Sequence, residues 1–177
     1  MNQSENIYLV GLMGSGKTTI GRALARRMGR RFLDSDHEIE HRTGVRIPTI
    51  FEMEGEAGFR KREAMVIEEL SHESGIVVAT GGGAVLDPAN RQIMHGSGWV
   101  VYLDVPTHVL LERTRHDTNR PLLQVADPRA KLDALRVQRD PLYREIAHII
   151  VDGARNNSQL AVVRILKEWE KQCAHST

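Results

Sequence analysis

A glycine-rich segment near the N-terminus carries the residue types that bind the phosphate groups of a nucleotide. It reads Gly11-Leu12-Met13-Gly14-Ser15-Gly16-Lys17-Thr18 and fits the pattern G-x-x-x-x-G-K-[ST]. Its glycines let backbone N–H groups point at phosphate oxygens without a Cβ in the way. Lys17 supplies a positive charge for the outer phosphates, and the Thr18 hydroxyl can join the shell of a magnesium ion. The segment therefore predicts binding of a nucleoside triphosphate.

Two acidic residues follow the second apolar run of the chain, in the segment Asp34-Ser35-Asp36. Ligands of open α/β sheets gather beyond the carboxyl ends of the strands, so we expect these carboxylates beside the glycine-rich segment. One could hold magnesium through water while the other accepts a proton or hydrogen bond from a substrate hydroxyl. The alternative is that one residue of this segment only caps the next helix. Asp104, after the apolar run 100–103, competes for the magnesium role, and the pattern leaves that choice open.

The segment His37-Glu38-Ile39-Glu40-His41 matches H-E-x-x-H, the zinc-binding pattern of metalloprotease helices. Its spacing would put both imidazoles on one face of a helix. However, residues 34–36 before it are typical of a helix start rather than of an apolar supporting helix, and Thr43-Gly44 ends the helix soon after. The sequence therefore favours a solvated polar helix face over a zinc site.

Three consecutive glycines, Gly81-Gly82-Gly83, directly follow the apolar run 76–79. Glycines at the end of a strand allow a ligand to approach the backbone closely, and a tight turn without a ligand is the alternative.

Arg60 lies at the start of an apolar helical stripe, which could place it over a site. An arginine beside Lys61 and Arg62 is otherwise a usual surface residue.

Arginines and a proline dominate the segment that ends Thr118-Asn119-Arg120-Pro121-Leu122-Leu123-Gln124. This composition predicts a lid that folds over the phosphates, excludes water and delivers an arginine; a plain exposed loop is the alternative. Further on, Asp140 followed by Pro141 predicts the start of a new helix, with Asp140 as its cap and Arg139 at its mouth.

The elements that must position these residues alternate along the chain. Strand-like runs at 7–10, 31–33, 76–79, 100–103 and 149–151 are separated by segments with helical periodicity. Such alternation predicts a parallel sheet covered by helices on both faces. We find no repeat or linker that would divide the chain.

The composition is that of an ordinary globular protein. The 177 residues are 41% hydrophobic and 27% charged, which suits one domain with a substantial core. A net charge of +1 gives no reason to expect nucleic acid or a membrane as partner. Cys173 is the single cysteine, so no internal disulfide can form, which suits a reducing cytoplasm. Residues 1–5 lack the features of a signal peptide, and no run approaches a membrane span.

Taken together, these segments closely resemble the shikimate kinase family. The resemblance covers about residues 7–170, in order and with family-like spacing. One phosphate-binding loop would fit many enzymes, whereas the full set is highly specific. The matching elements are the segment 11–18, Asp34-Ser35-Asp36, Gly55-Glu56 with Phe59-Arg60 and Glu63, Gly81-Gly82-Gly83, Arg120-Pro121-Leu122-Leu123, and Arg139 before Pro141-Leu142-Tyr143.

The resemblance implies an α/β fold, the three-layer α/β/α P-loop kinase fold related to nucleoside monophosphate kinases. Its sheet would have five parallel strands in the order 2-3-1-4-5. A single domain would span residues 1–177, with substrate-binding helices at about 35–62 and a lid at about 113–126. The implied reaction transfers the γ-phosphoryl group of ATP to the 3-hydroxyl of shikimate, with Mg²⁺, in aromatic amino acid biosynthesis.

The resemblance also implies roles on the shikimate side. Arg60 and Arg139 would clamp the carboxylate of shikimate, which suits two guanidinium forks. Asp36 would accept hydrogen bonds from the ring hydroxyls and would orient or deprotonate the attacking one. Gly82 would offer its backbone N–H to the substrate.

On the ATP side, Lys17 and Arg120 would stabilise the charge on the phosphoryl group in transfer. Thr18 would bind Mg²⁺ directly and Asp34 through water, so the resemblance favours Asp34 over Asp104. Arg113 is a second candidate for the adenine side, beside the variable segment 155–157. The implied ATP-binding residues are Gly14, Ser15, Gly16, Lys17, Thr18, Thr19, Arg120 and Asn156.

Two alternative functions can be separated from this interpretation. Another small-molecule kinase of the same fold, such as a gluconate kinase, could lack the paired-arginine preference for a carboxylate. A regulatory GTPase would need an Asn-Lys-x-Asp motif, which the sequence does not contain. We expect ATP and shikimate as partners, no nucleic acid or membrane, and a monomer.

Overall fold

The computed structural model describes residues 5–117, 121–153 and 157–174. Its five strands form one parallel sheet in the order β2-β3-β1-β4-β5. This order confirms the prediction, and each strand lies within two residues of the apolar run that predicted it. The strands are β1 Asn6–Val10, β2 Phe32–Asp34, β3 Val77–Ala79, β4 Gly98–Asp104 and β5 Ile149–Asp152.

Helices cover both faces of this sheet, as buried parallel strands require. Ile7 and Leu9 of β1 pack in a cluster with the helix that follows β1 and with the C-terminal helix, while Tyr8 and Val10 belong to a second cluster with helices on the other face. No helix in the described part of the chain is both long and apolar enough to cross a membrane. The helices are α1 Lys17–Met28, α2 Ser35–Thr43, α3 Ile47–Ser71, α4 Pro88–Ser97, α5 Thr107–Thr114, α6 Pro128–Ile146 and α7 Ser158–Ala174.

Helix α6 contradicts one prediction. It runs through Pro141 without interruption, so the prediction of a new helix capped by Asp140 is wrong. An internal proline costs a helix about 3 kcal/mol, but tertiary contacts hold this turn in place. The Asp140 carboxylate accepts hydrogen bonds from the Tyr102 hydroxyl at 2.7 Å and from Arg144 Nε at 2.8 Å. Tyr143, two residues after the proline, is fully buried.

Helix α3 consists of two helical segments that meet at Gly55. This residue has φ 70° and ψ −178°, outside the helical region. The break changes the direction of the chain ahead of Arg60. The second segment buries the predicted apolar stripe of Phe59, Val66, Ile67 and Leu70.

Candidate active site

The glycine-rich segment joins the buried strand β1 to helix α1 at the carboxyl edge of the sheet. Helix α1 begins at Lys17, after Gly16 in the left-handed conformation with φ 97°. The ammonium group of Lys17 folds back onto this loop and donates to the carbonyls of Gly11 at 2.7 Å and Leu12 at 2.9 Å. The loop therefore holds a cation against its own carbonyl oxygens, at the place where its pattern predicts phosphate.

A cleft of about 930 Å³ opens beside this loop. It is lined by all six consecutive residues of the loop and helix start that were predicted to bind ATP: Gly14, Ser15, Gly16, Lys17, Thr18 and Thr19. Ser15 is buried, while Thr19 is exposed at the surface. A cleft of this size can enclose a nucleotide.

Asp34 combines the two interpretations that the sequence left open. One of its carboxylate oxygens accepts from the backbone N–H groups of Asp36 and His37, so it caps helix α2. The other accepts from the Thr18 hydroxyl at 2.8 Å. A hydroxyl and a carboxylate oxygen thus meet at the edge of the phosphate-binding loop, and these are hard ligands of the kind that Mg²⁺ prefers.

Asp104, the competing candidate, is engaged in ion pairs. Its two oxygens each accept from a guanidinium at 2.7 Å, one from Arg136 and one from Arg144.

His37 and His41 of the H-E-x-x-H segment are exposed on α2. Within residues 5–117, 121–153 and 157–174, no group of three or more His, Cys, Asp and Glu side chains could hold a metal ion.

A second, smaller pocket of about 60 Å³ adjoins the cleft. Asp36 and Gly82 line both spaces, so these two residues stand between the predicted nucleotide and acceptor sites. All four residues that the sequence assigned to the acceptor line this pocket: Asp36, Arg60, Gly82 and Arg139. They come from α2, α3, the segment after β3, and α6, and only the fold brings them together.

Arg60 is held by two carboxylates on its own helix. It donates to Glu63 at 2.6 Å and to Glu56 at 3.2 Å. Burial lowers the pKa of the Arg60 guanidinium, but the two carboxylates reverse this and leave the pKa raised. The side chain therefore stays charged at the wall of the pocket.

Glu63 is a buried carboxylate that the sequence reasoning did not assign to the site. It is 0% exposed, and its pKa is raised to about 7. Burial is the main cause, the positive charge of Arg60 opposes it, and the charge of Asp36 adds to it. Its Oε1 atom has no hydrogen-bond partner among the described residues. The signal that could have found it is its spacing of three residues from Arg60, which places both on one helix face.

Arg139 is 2% exposed on helix α6, an unusual burial for a guanidinium. Burial lowers its pKa, Tyr143 raises it, and the nearby charge of Arg60 lowers it again. The Nε atoms of Arg60 and Arg139 are both buried without a hydrogen-bond partner in the part of the chain that the structure describes. The pocket thus brings two cationic groups together and leaves the Nε donor of each without an acceptor among the described residues.

Gly81 and Gly83, two of the three consecutive glycines, let protein side chains lie against the backbone. A Cβ on Gly81 would collide with carboxylate oxygens of Glu63 and Asp36, and a Cβ on Gly83 would collide with the Arg60 guanidinium. Gly82 is different, because a Cβ there would lie 3.4–3.5 Å from its neighbours, at ordinary contact distances. The absence of side chains at Gly81 and Gly83 is therefore what lets the buried charges pack against this segment.

The remaining predicted residues lie at the rim of the cleft or outside the described residues. Arg113 lines the cleft and donates to the carbonyls of Gly14 at 3.2 Å and Gly153 at 3.1 Å. Arg120 and Asn156 lie outside the described residues. Of the predicted lid, Leu122 lines the small pocket, and Leu123 is buried against the core.

Comparisons with known proteins agree with this geometry. The family model for shikimate kinase matches residues 13–170. The chain is 59% identical to a shikimate kinase of Aromatoleum aromaticum, covering 96% of this chain and 99% of the relative, and 61% identical to one of Dechloromonas aromatica, covering 94% and 91%. Its fold matches the solved shikimate kinase of Acinetobacter baumannii in complex with shikimate, with a TM-score of 0.93, 51% identity and coverage of 96% and 94%.

Proposed function

The chain belongs to the shikimate kinase family and is an ATP-dependent shikimate kinase of aromatic amino acid biosynthesis, and we propose that its acceptor site is the small pocket between Asp36, Arg60, Gly82 and Arg139. The observation that carries this proposal is the convergence of two guanidinium groups, buried Arg139 and partly buried Arg60, on a pocket that adjoins the nucleotide cleft.

The carboxylate of shikimate complements this pair of arginines. Each keeps a buried Nε without a hydrogen-bond partner among the described residues, and unused buried donors are costly. A bound carboxylate would accept from both guanidinium groups and would offset their mutual repulsion. Arginine suits this task better than lysine because its planar fork matches the geometry of a carboxylate.

With the carboxylate fixed, the ring hydroxyls face Asp36, at the boundary with the cleft. Asp36 accepts a hydrogen bond from the 3-hydroxyl and so orients the hydroxyl oxygen of the substrate towards the γ-phosphorus. The new O–P bond forms as the bond between the γ-phosphorus and the β–γ bridging oxygen breaks. The hydroxyl proton passes to the Asp36 carboxylate or to a phosphoryl oxygen, and ADP leaves. Lys17 moves from its own loop carbonyls to the phosphate oxygens, and together with Arg120 it balances the charge in transfer.

Magnesium fits the Thr18 and Asp34 pair. The hydroxyl of Thr18 would bind the ion directly and the carboxylate of Asp34 would reach it through water, with phosphate oxygens and waters as further ligands. When bound, the ion neutralises charge on the β- and γ-phosphates. This role does not require a cage made only of protein side chains.

We further propose one catalytic domain that acts as a monomer in the cytoplasm. All proposed site residues belong to one chain, and a chain with a single cysteine tolerates a reducing compartment. Sedimentation at several protein concentrations tests the monomer, and fractionation of cells with antibody detection tests the location.

The decisive assay measures ADP release in the presence of one acceptor at a time: shikimate, shikimate carboxamide or gluconate. We expect turnover with shikimate, none with gluconate, and a fall in kcat/KM of about 100-fold with the carboxamide, because the arginine pair loses its anion. No ADP release with shikimate would contradict the function itself.

Two variants on the same helix locate the carboxylate site. Arg139→Gln should lower kcat/KM strongly for shikimate and little for the carboxamide. Arg136→Gln is the matched control, because Arg136 pairs with Asp104 and lines neither cavity. If Arg139→Gln lowered kcat/KM for both acceptors by the same factor, the carboxylate would bind elsewhere.

A further inference from the structure

Tyr143 touches two of the proposed shikimate-binding groups through a single hydroxyl. This side chain is 0% exposed, and its hydroxyl donates to the carbonyl oxygen of Gly82 at 2.5 Å. The guanidinium of Arg139, one turn earlier on α6, interacts with the same hydroxyl, and this interaction raises the pKa of Arg139 against the effect of burial. Because a hydroxyl can donate one hydrogen bond and accept two, Tyr143 can serve both partners at once.

Gly82 needs such an anchor because glycine has the freest backbone of any residue. On the preceding side, the N–H of Gly81 donates to the buried Ser35 hydroxyl at 2.9 Å. On the following side, the carbonyl of Gly82 is held by Tyr143. The residue thus lies between two buried side-chain anchors, one from α2 and one from α6.

The position of Gly82 also joins the two halves of the site. A Cβ built on it would lie 3.4 Å from the Gly11 carbonyl, 3.5 Å from the Met13 nitrogen and 3.5 Å from an Arg139 guanidinium nitrogen. The backbone of Gly82 therefore lies between the phosphate-binding loop and an arginine of the acceptor pocket. A shift of Gly82 would change the space on both sides.

We infer that Tyr143 is a positioning residue for shikimate: its hydroxyl fixes the Gly82 backbone and the Arg139 guanidinium in the geometry that receives the acceptor. This inference rests on the proposed function, because it takes Gly82 and Arg139 as shikimate contacts. Tyr143 does not line either cavity, so it acts through these two residues and not by contact with the substrate.

The chain offers a closely matched control in Tyr102. The rings of Tyr102 and Tyr143 stack with centroids 4.9 Å apart, and Tyr102 is 1% exposed. Its hydroxyl also donates a hydrogen bond, at 2.7 Å, but to Asp140 and not to a pocket residue. Tyr102→Phe and Tyr143→Phe therefore remove the same atom from neighbouring buried rings, and only one removal reaches the acceptor site.

The test is steady-state kinetics of both variants and the wild type, with the unfolding midpoint of each protein measured in the same buffer. Tyr143→Phe should raise the KM for shikimate about tenfold, the effect of one lost buried hydrogen bond. Its kcat should stay within about twofold, since no group that contacts the phosphoryl is removed. The KM for ATP should change much less than the KM for shikimate, because Gly82 is one of many residues that line the cleft. Tyr102→Phe should leave the KM for shikimate unchanged.

Three results would overturn the inference: an unchanged shikimate KM in Tyr143→Phe, an equal rise in both variants, or a loss of kcat without a rise in KM. A variant that unfolds at the assay temperature is assayed where circular dichroism shows it folded. Arg139→Gln in the same experiment separates the two proposals. If Arg139→Gln raises the shikimate KM and Tyr143→Phe does not, only the role of Tyr143 fails. If neither raises it, the proposed acceptor site fails.

Discussion

On the nucleotide side of the site, the functional groups lie close together in the sequence and are partly open to solvent. On the shikimate side, they come from distant elements, and two charged groups there, Glu63 and Arg139, are buried. Lys17 and Thr18 are adjacent and half-buried, and their partners are loop carbonyls and Asp34. In the acceptor pocket, Glu63 is 0% and Arg139 2% exposed, on helices far apart in the chain.

This difference has an energetic consequence. A half-buried lysine can exchange its carbonyl partners for phosphate oxygens or water at little cost to folding. The desolvation cost of a buried ion is offset by its partner in the fold, so removing that partner leaves an uncompensated buried charge. We therefore expect variants of the nucleotide side to lose activity only, and variants of the acceptor side to lose activity and stability together.

The largest expected effect belongs to Asp36, which lines both the cleft and the pocket. Asp36→Asn should lower kcat about 1000-fold, because the attacking hydroxyl loses its carboxylate partner. The affinity for ATP, measured by calorimetry without shikimate, should stay nearly unchanged. Loss of ATP binding instead would mean that Asp36 contributes to nucleotide binding, and the two halves of the site could not be separated at this residue.

Replacing one cation by methionine in each half of the site tests directly whether burial makes the acceptor side more important for stability. Arg60→Met should lower the free energy of unfolding by about 3 kcal/mol, because it leaves Glu63 buried beside an uncharged side chain. Lys17→Met should change it by less than about 0.5 kcal/mol while lowering kcat about 100-fold or more. Urea unfolding without ligands gives both values. Equal changes in stability would show that burial does not distinguish the two halves.

The same contrast explains what the sequence could predict. Lys17 and Thr18 belong to a local motif, and the strands have clear apolar runs, so a parallel sheet covered by helices and the binding of a triphosphate were predicted from the residues. The strand order was predicted only from the resemblance to the family. The burial of Glu63 follows from the packing of α3 against the segment after β3, which no local pattern records. The course of α6 through Pro141 was also missed, because contacts of Asp140 with distant residues outweigh the local preference of proline.

The buried carboxylate gives the acceptor half a pH dependence. The pKa of Glu63 is raised from an ordinary 4.5 to about 7, so the folded state binds this proton more tightly than the unfolded state. The resulting stability is fully present below about pH 4.5 and is lost as the pH rises through about 7. The difference in unfolding free energy between wild type and Glu63→Gln should fall by about 2–3 kcal/mol across this range.

Chemical denaturation of the two proteins at a series of pH values measures this difference. Above about pH 7 it should become constant, because Glu63 is then ionised in both states. Two stability curves that run parallel from pH 4.5 to 7 would mean that Glu63 carries the same charge when folded and unfolded. The pocket would then hold a permanent ion pair with Arg60, and not a carboxylate that shares its environment with Asp36.

The smallest effect is expected from Arg113, which is exposed and bridges the carbonyls of Gly14 and Gly153 at the rim of the cleft. Arg113→Gln should weaken ATP binding about fivefold, because two hydrogen bonds to the rim and one nearby cation are lost at a solvated site. The KM for shikimate and the unfolding midpoint should not change. Arg115→Gln, also exposed and outside the lining of the cleft, is the control.

A loss of stability in Arg113→Gln as large as that of Arg60→Met would contradict the comparison at its weakest point. It would mean that an exposed link between the phosphate-binding loop and the end of β5 supports the fold as strongly as the ion pair of the buried Glu63. With the expected result, the rim adjusts nucleotide affinity independently of the acceptor pocket. The two substrates would then meet only where the cleft and the pocket share a wall, at Asp36, Ile47 and Gly82.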